Sequence, residues 1–188
     1  MYVFCDMQTD QGGWIVIQKR IDGSVGFHRN WNEYKRGFGD KLSDYWLGLD
    51  IIHSLTSQGD YTLRIDMEDF AGSVRYAEYN KFVIGDEKDN FRLTVDQYSG
   101  DAGDTLRLHN NAQFSTKDRD NDNSRTHCAK SFKGGWWFNR CLHCNLNGEY
   151  FSDLSKAPRR QGEGILWSEW KLWEILKRVE MKIRLKIN

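Results

Sequence analysis

The chain predicts an α+β fold: a central antiparallel sheet with short helices and one long loop-rich region. Three observations predict it. Apolar residues alternate with polar ones over Tyr61–Met67 and again over Val179–Ile187, the period of strands with one buried face. Two short segments carry helical patterns closed by glycine. From Leu106 to Leu166 neither period holds, and Asn, Asp, Gly, Ser and Arg dominate. Loops of that length are functional more often than incidental when ordered.

The elements follow in order. Gly12-Gly13 precede Trp14–Arg20, a strand-like run, and Ile21-Asp22-Gly23 reads as a hairpin-type turn. Trp31–Arg36 is a short helix with Gly37 as its stop, and Leu49–Ser57 a second, stopped by Gly59. Tyr61, Leu63, Ile65 and Met67 line one face of a strand whose other face carries Thr62, Arg64, Asp66 and Glu68. Val74–Val83 and Phe91–Tyr98 read as further strands, with a turn at Asp101–Asp104. The last strand alternates Val179, Met181, Ile183, Leu185 and Ile187 with Glu180, Lys182, Arg184 and Lys186, and should return to pair inside the central sheet.

The 188 residues suffice for one domain, 1–188, with residues 105–178 as its loop-rich part. The charge balance of 27 basic and 27 acidic residues argues against nucleic acid or an anionic membrane as a partner. No apolar run approaches the ~20 residues of a membrane span, so membrane insertion is not expected. No signal peptide is visible, so the chain is expected to begin inside a longer protein, with Met1 as an expression start. Eight Trp, 17 Gly and a single Pro suggest tight turns and large aromatic anchors.

The chemistry concentrates in Asp118-Arg119-Asp120-Asn121-Asp122-Asn123-Ser124. Carboxylates at alternate positions repel unless a cation sits among them, and calcium takes oxygen ligands from short flexible segments of this kind. An EF-hand is excluded: Asn123 stands where glycine is required and Ala129 where the bidentate glutamate is required. The alternative is a solvated polar turn; the nearby cysteines and aromatics favour metal. His127, Cys128, Cys141, His143 and Cys144 form a second cluster. A zinc ribbon needs a second close pair and a redox dithiol needs a βαβ unit, so a structural disulfide is the favoured reading. A Cys128–Cys141 bridge would close a loop of about 14 residues, worth roughly 3 kcal/mol; the partner of Cys5 is not determined. Phe132, Trp136, Trp137, Phe138, Trp167, Trp170 and Trp173 crowd the same region, as a satellite core with one or two rings lining a small pocket. No GxSxG, HExxH or glycine-rich phosphate loop is present, and an enzyme is not expected.

Many of these residues together resemble one family. Phe4-Cys5-Asp6-Met7, Gly12–Arg20, Asp22-Gly23-Ser24, Tyr34–Gly39 and Tyr45-Trp46-Leu47-Gly48 look like the fibrinogen C-terminal domain. So do Phe114–Asp122, Gly134-Gly135-Trp136-Trp137, Asn145-Leu146-Asn147-Gly148 and Met181–Arg184. The resemblance implies an extracellular α+β domain with a calcium site beside a ligand pocket. Calcium would take the carboxylates of Asp120 and Asp122 and the carbonyls of Ser124 and Thr126, with Asp118 supporting the loop through its charge. The Cys128–Cys141 bridge is also the family's. In lectin members the peptide bond before the second cysteine is cis, here Arg140–Cys141, and aims backbone N–H groups at an acetyl oxygen. The aromatic positions that hold the acetyl methyl correspond to Phe132 and Trp173. Leu142 stands where the family often has His, with His143 one residue later. Cys144 replaces a small polar residue. A segment of some thirty residues that precedes Cys5 in the family, and carries its partner, is missing; Cys5–Cys144 pairing, a free thiol and an intermolecular bridge all remain open.

The function expected on this resemblance is a secreted, calcium-binding, lectin-like recognition domain of innate immunity. It would read acetylated or anionic glycans on microbial or cell surfaces through Phe132, Arg140, Cys141, Leu142, His143 and Trp173, with avidity supplied by oligomerisation. The alternatives are a protein-binding receptor ligand or adhesion module of the angiopoietin or tenascin type and, ranked last, a zinc-stabilised intracellular module.

Overall fold

The computed structural model describes residues 3–157 and 161–186. Ten strands and four short α-helices appear among them. In chain order they are β1 (Cys5–Asp6), β2 (Trp14–Arg20), α1 (Trp31–Arg36), β3 (Phe38–Gly39), β4 (Tyr45–Trp46), α2 (Leu49–Thr56) and β5 (Tyr61–Glu68). Then follow β6 (Val74–Ile84), β7 (Leu93–Gly100), α3 (Cys128–Ser131), β8 (Cys144–Asn145), β9 (Leu166–Trp167), α4 (Ser168–Lys171) and β10 (Arg178–Leu185). Eight strands form one sheet in the order β3-β4-β2-β10-β5-β6-β7, with β1 on β2; β8 and β9 form a separate pair. Every described pairing is antiparallel.

The C-terminal strand returns to pair inside the central sheet, as expected, and lies at its centre. β10 matches β5 residue for residue from Arg178↔Glu68 to Leu185↔Tyr61, while a register shift between Met181 and Lys182 interrupts its pairing with β2. It ends at Leu185, and Ile187 lies outside the described residues. Val179, Met181 and Ile183 face the core. The opposite face is not simply solvated: Lys182 is also buried, its Nζ held by Asp6 (2.6 Å), Asp66 (2.7 Å) and Glu180 (3.2 Å). A charge can be buried there because three carboxylates surround it.

Ile21-Asp22-Gly23 is not a hairpin turn. The strand beside β2 on that side is β4, and α1 and β3 intervene in the chain. The three N–H groups of Ile21, Asp22 and Gly23 donate instead to the Asp44 carboxylate (2.6–3.2 Å), which no local pattern reveals. The third strand of the β5–β6–β7 meander begins at Leu93 rather than Phe91, because Asn90 and Phe91 take left-handed φ of 51° and 50°. α1 starts on a capping box: Asn30 Oδ1 accepts from Glu33 N–H, and the Glu33 carboxylate accepts from Asn30 N–H. It stops at Gly37, where φ is 93° and a Cβ would sit 2.4 Å from the Leu47 carbonyl oxygen.

The loop-rich region packs on the sheet rather than beside it. Gln18 and Arg20, polar residues on the inward face of β2, are fully buried because they bind its backbone. Gln18 Nε2 donates to Leu146 O (2.8 Å), and Arg20 Nη1 to Leu146 O (3.2 Å) and Gly148 O (2.7 Å). Trp136, Trp137, Phe138 and Trp167 are 0% exposed and belong to the same contiguous core as the sheet residues, so the aromatics are not a satellite cluster. Each such side chain buries ~150–250 Å², roughly 4–6 kcal/mol at ~25 cal/mol/Å² before ordering costs. That offsets the ~1–2 kcal/mol per residue of fixing an irregular backbone. Among the described residues no helix is long and apolar enough to cross a membrane.

Candidate functional site

The acidic run folds as a succession of tight turns pinned at both ends. Ser115 and Trp136 exchange backbone hydrogen bonds (2.9 and 3.1 Å), and Thr116 bridges to Arg119. Asn121 Nδ2 donates to Phe114 O (2.7 Å), and Arg119 lies over the Trp31 ring at 4.0 Å. Asp118 is engaged elsewhere. It accepts from Trp31 N–H (2.8 Å) and the Thr116 hydroxyl (2.7 Å), so it fastens the turn to the start of α1 by hydrogen bonds as well as by charge.

Asp120 and Asp122 do converge. Together with His127 they place one ligand atom each within 4.8 Å of one another. Asp122 accepts from Ser124 N–H (2.8 Å) and Cys128 N–H (2.9 Å), which aims its carboxylate across the turn. Burial pushes the Asp122 pKa up and Asp120 beside it adds to the rise, against the lowering by those two N–H donors. Two carboxylates crowded in this way, in a turn that also carries the backbone of Ser124 and Thr126, suit a hard cation. His127 Nδ1 is buried without a hydrogen-bond partner and lies 4.0 Å from Asp120 Oδ2, which also fits a positive charge at this place.

The disulfide joins Cys128 to Cys141, with an S–S distance of 2.05 Å and Cα atoms 5.4 Å apart. Cys5 and Cys144 are both free, the first exposed and the second buried, so neither pairs with the other. Burial lifts the Cys144 thiol far above its ordinary range. The Arg140–Cys141 peptide bond is cis. A second link ties the same two loops: Asn123 N–H donates to Asn139 O (3.0 Å), and Asn123 Nδ2 to Asn139 Oδ1 (3.0 Å).

The remaining site residues spread out. Arg140 and His143 are exposed, while Leu142 turns inward at 8% exposure. Phe132 is half-buried with its ring beside Gly162, and Trp173 stands 42% exposed next to Leu172, which holds a φ of 50°. Two concavities line the outer sheet face around Asp66 and Glu180, one lies by Gly12-Gly13 and one by Gly23–His28. None of these four includes Phe132, Cys141 or Trp173 in its wall.

One supporting residue escapes sequence reading. His109 is 0% exposed, and its Nε2 accepts from both His143 N–H (3.0 Å) and Cys144 N–H (3.2 Å). Nδ1 must then carry the proton, donated to Trp137 O at 2.7 Å. Burial lowers its pKa to about 4, with His143 adding to the fall. The imidazole therefore clamps the backbone after Cys141 in one tautomer.

Residues 1–186 match the family described as fibrinogen beta and gamma chains, C-terminal globular domain. The chain belongs to this family. Among fibrinogen-like relatives, fibrinogen C domain-containing protein 1 of Homo sapiens is 47% identical over 188 residues, covering 97% of this chain and 40% of that protein. Fibrinogen-like protein 1 of Rattus norvegicus is 47% identical over 197 residues, 97% of this chain and 62% of the relative. The chain thus spans less than two thirds of these relatives. The fibrinogen-like globe domain of human ANGPTL2 superposes with a TM-score of 0.94 at 46% identity, covering 98% of this chain and 86% of the other. Lamprey fibrin D-dimer, solved with the peptide ligand Gly-His-Arg-Pro-amide, gives 0.89 at 38%, covering 96% and 63%. The α+β class read from the sequence is that of the fibrinogen-like fold, and the Cys128–Cys141 bridge fits the oxidising setting outside the cell.

Proposed function

We propose that this fibrinogen-like domain is a secreted recognition module of the lectin type, reading acetylated or anionic glycans on microbial or cell surfaces. One observation carries the reading: the acidic turn and the Arg140–Cys144 loop are a single mechanical unit. A disulfide, two Asn123–Asn139 hydrogen bonds and the Asp122 carboxylate on Cys128 N–H tie them together. Asp120 and Asp122, with the carbonyls of Ser124 and Thr126, would hold calcium. The ion would supply positive charge that offsets their repulsion and stiffens the turn. Phe132, Arg140, Cys141, His143 and Trp173 would offer only shallow contacts, Leu142 being turned inward, and shallow contacts give weak single sites, which suits an oligomeric full-length protein.

A second reading is a protein-binding module. Its support is Leu142, an inward-facing apolar residue that offers no hydrogen bond to a sugar, and the peptide ligand of the lamprey relative. A glycan array probed with and without chelator separates the two. Binding to N-acetylated or acidic glycans that is lost with chelator supports the lectin. No glycan bound at any calcium level, with tight binding to a receptor ectodomain, refutes it.

A further inference from the structure

A separate cavity of about 330 Å³ opens beside the start of α1, at the small end of the ~300–1,000 Å³ typical of small-molecule sites. Val25, Phe27 and Tyr150 form its apolar side, and Arg20, His28 and Lys133 its basic side. It is prebuilt. Arg20 is 1% exposed, stacked at 3.9 Å on the Phe27 ring and tethered to two carbonyls, while its Nε makes no hydrogen bond and lies 3.6 Å from Asp44. Tyr150 is fixed by its hydroxyl on Ile21 O (2.9 Å) and packs against Gly23, where a Cβ would collide with its ring. A Cβ on Gly26 would meet nothing within 4 Å, so this wall faces open space.

Arg20, Lys133 and the neighbouring Lys117 (Nζ on His28 O, 2.8 Å) face Asp44, Glu149 and Glu163, so a carboxylate that takes the place of Glu149 on Lys133 leaves the local charge balanced. Burial above all, and then Lys117 and Lys133, hold the His28 pKa below its ordinary value, with Glu149 working against them. Glu149 occupies Lys133 at 2.9 Å, but both side chains are nearly half exposed, at 43% and 46%. An exposed pair of that kind contributes ~0–1 kcal/mol, so an incoming carboxylate can replace Glu149 at small cost.

We propose that this cavity binds a small organic monocarboxylate, its ring against Val25, Phe27 and Tyr150 and its carboxylate on Lys133 in place of Glu149. Its wall contains no residue of the Arg140–Cys144 loop. The test is an amide NMR titration of the intact chain with benzoate and with glucuronate, to tell an aromatic from a sugar acid, and with benzyl alcohol as the neutral control. Shifts centred on Gly26, His28 and Lys133 with at least one acid, and none with the alcohol, are expected. Glu149→Gln should tighten binding up to roughly fivefold, the equivalent of ~1 kcal/mol. Lys133→Ala should weaken binding, and Gly26→Trp should abolish it with an unchanged Tm. The proposal is overturned if neither acid shifts these amides at millimolar concentration, if the alcohol binds as well as benzoate, or if Glu149→Gln fails to tighten binding.

Discussion

Acid should loosen the Arg140–Cys144 loop through His109. In the folded protein this imidazole is buried, accepts two N–H groups at Nε2 and has its pKa lowered to about 4 from an ordinary 6.5. The unfolded chain takes up the proton as pH falls through 6.5, while the folded protein refuses it until about 4. The stability from this group is therefore complete above pH 6.5 and drains away between 6.5 and 4. Lowering the pH from about 7.5 to about 5 should cost about 2 kcal/mol, at about 1.4 kcal/mol per unit. His109→Gln keeps a donor and an acceptor but cannot titrate. It should cost roughly 1–3 kcal/mol at neutral pH through imperfect replacement of buried hydrogen bonds, and it should flatten the slope. Urea unfolding followed by tryptophan fluorescence, disulfide intact, measures both. The titration of His28, also lowered by burial and by neighbouring lysines, is common to the two proteins and cancels in the comparison. Identical slopes for wild type and His109→Gln would refute the argument, as would protection factors at the His143 and Cys144 amides, taken against the intrinsic exchange rate at each pH, that do not fall in acid.

Three further outcomes follow from the same geometry. Asp120→Ala should lower Tm in calcium and erase its calcium dependence, whereas His127→Ala should leave that dependence intact if the ion is held by oxygen alone; differential scanning fluorimetry with and without chelator decides both. Cys141→Ser opens a bridge spanning 13 residues of sequence separation and should cost about 3 kcal/mol in chemical denaturation; a loss under 1 kcal/mol would place the constraint elsewhere. Lys182→Met strands Asp6 and takes one of two cations from Asp66 and Glu180, which keep Arg64 and Lys19, and should cost about 2–3 kcal/mol, discounted because the carboxylates are part-exposed; an unchanged urea midpoint would show that the cluster adds nothing.

The parts of the site legible in sequence were those where one short segment holds its own chemistry. The run Asp118–Ser124 announces crowded carboxylates, and it is Asp120 and Asp122 that meet in space. Its resemblance to a known family extended this to the Cys128–Cys141 bridge and the cis Arg140–Cys141 bond. His109 gave no signal, because its three partners sit 28 to 35 residues downstream. Asp44 was silent for the same reason, and so a bound turn at Ile21–Gly23 passed for a hairpin.

Local order and face were decided by the sequence itself: period two marks β5 and β10, and the capping box with Gly37 bounds α1. Those are consequences of neighbouring residues on one backbone. Burial on the second face of a strand, the partners of buried polar groups and the union of aromatics into one core belong to the tertiary structure alone. Periodicity tells which side chains point together; only the packed fold brings up the distant groups that cover them, as Lys182 among its carboxylates and His109 beneath the Cys141 loop demonstrate.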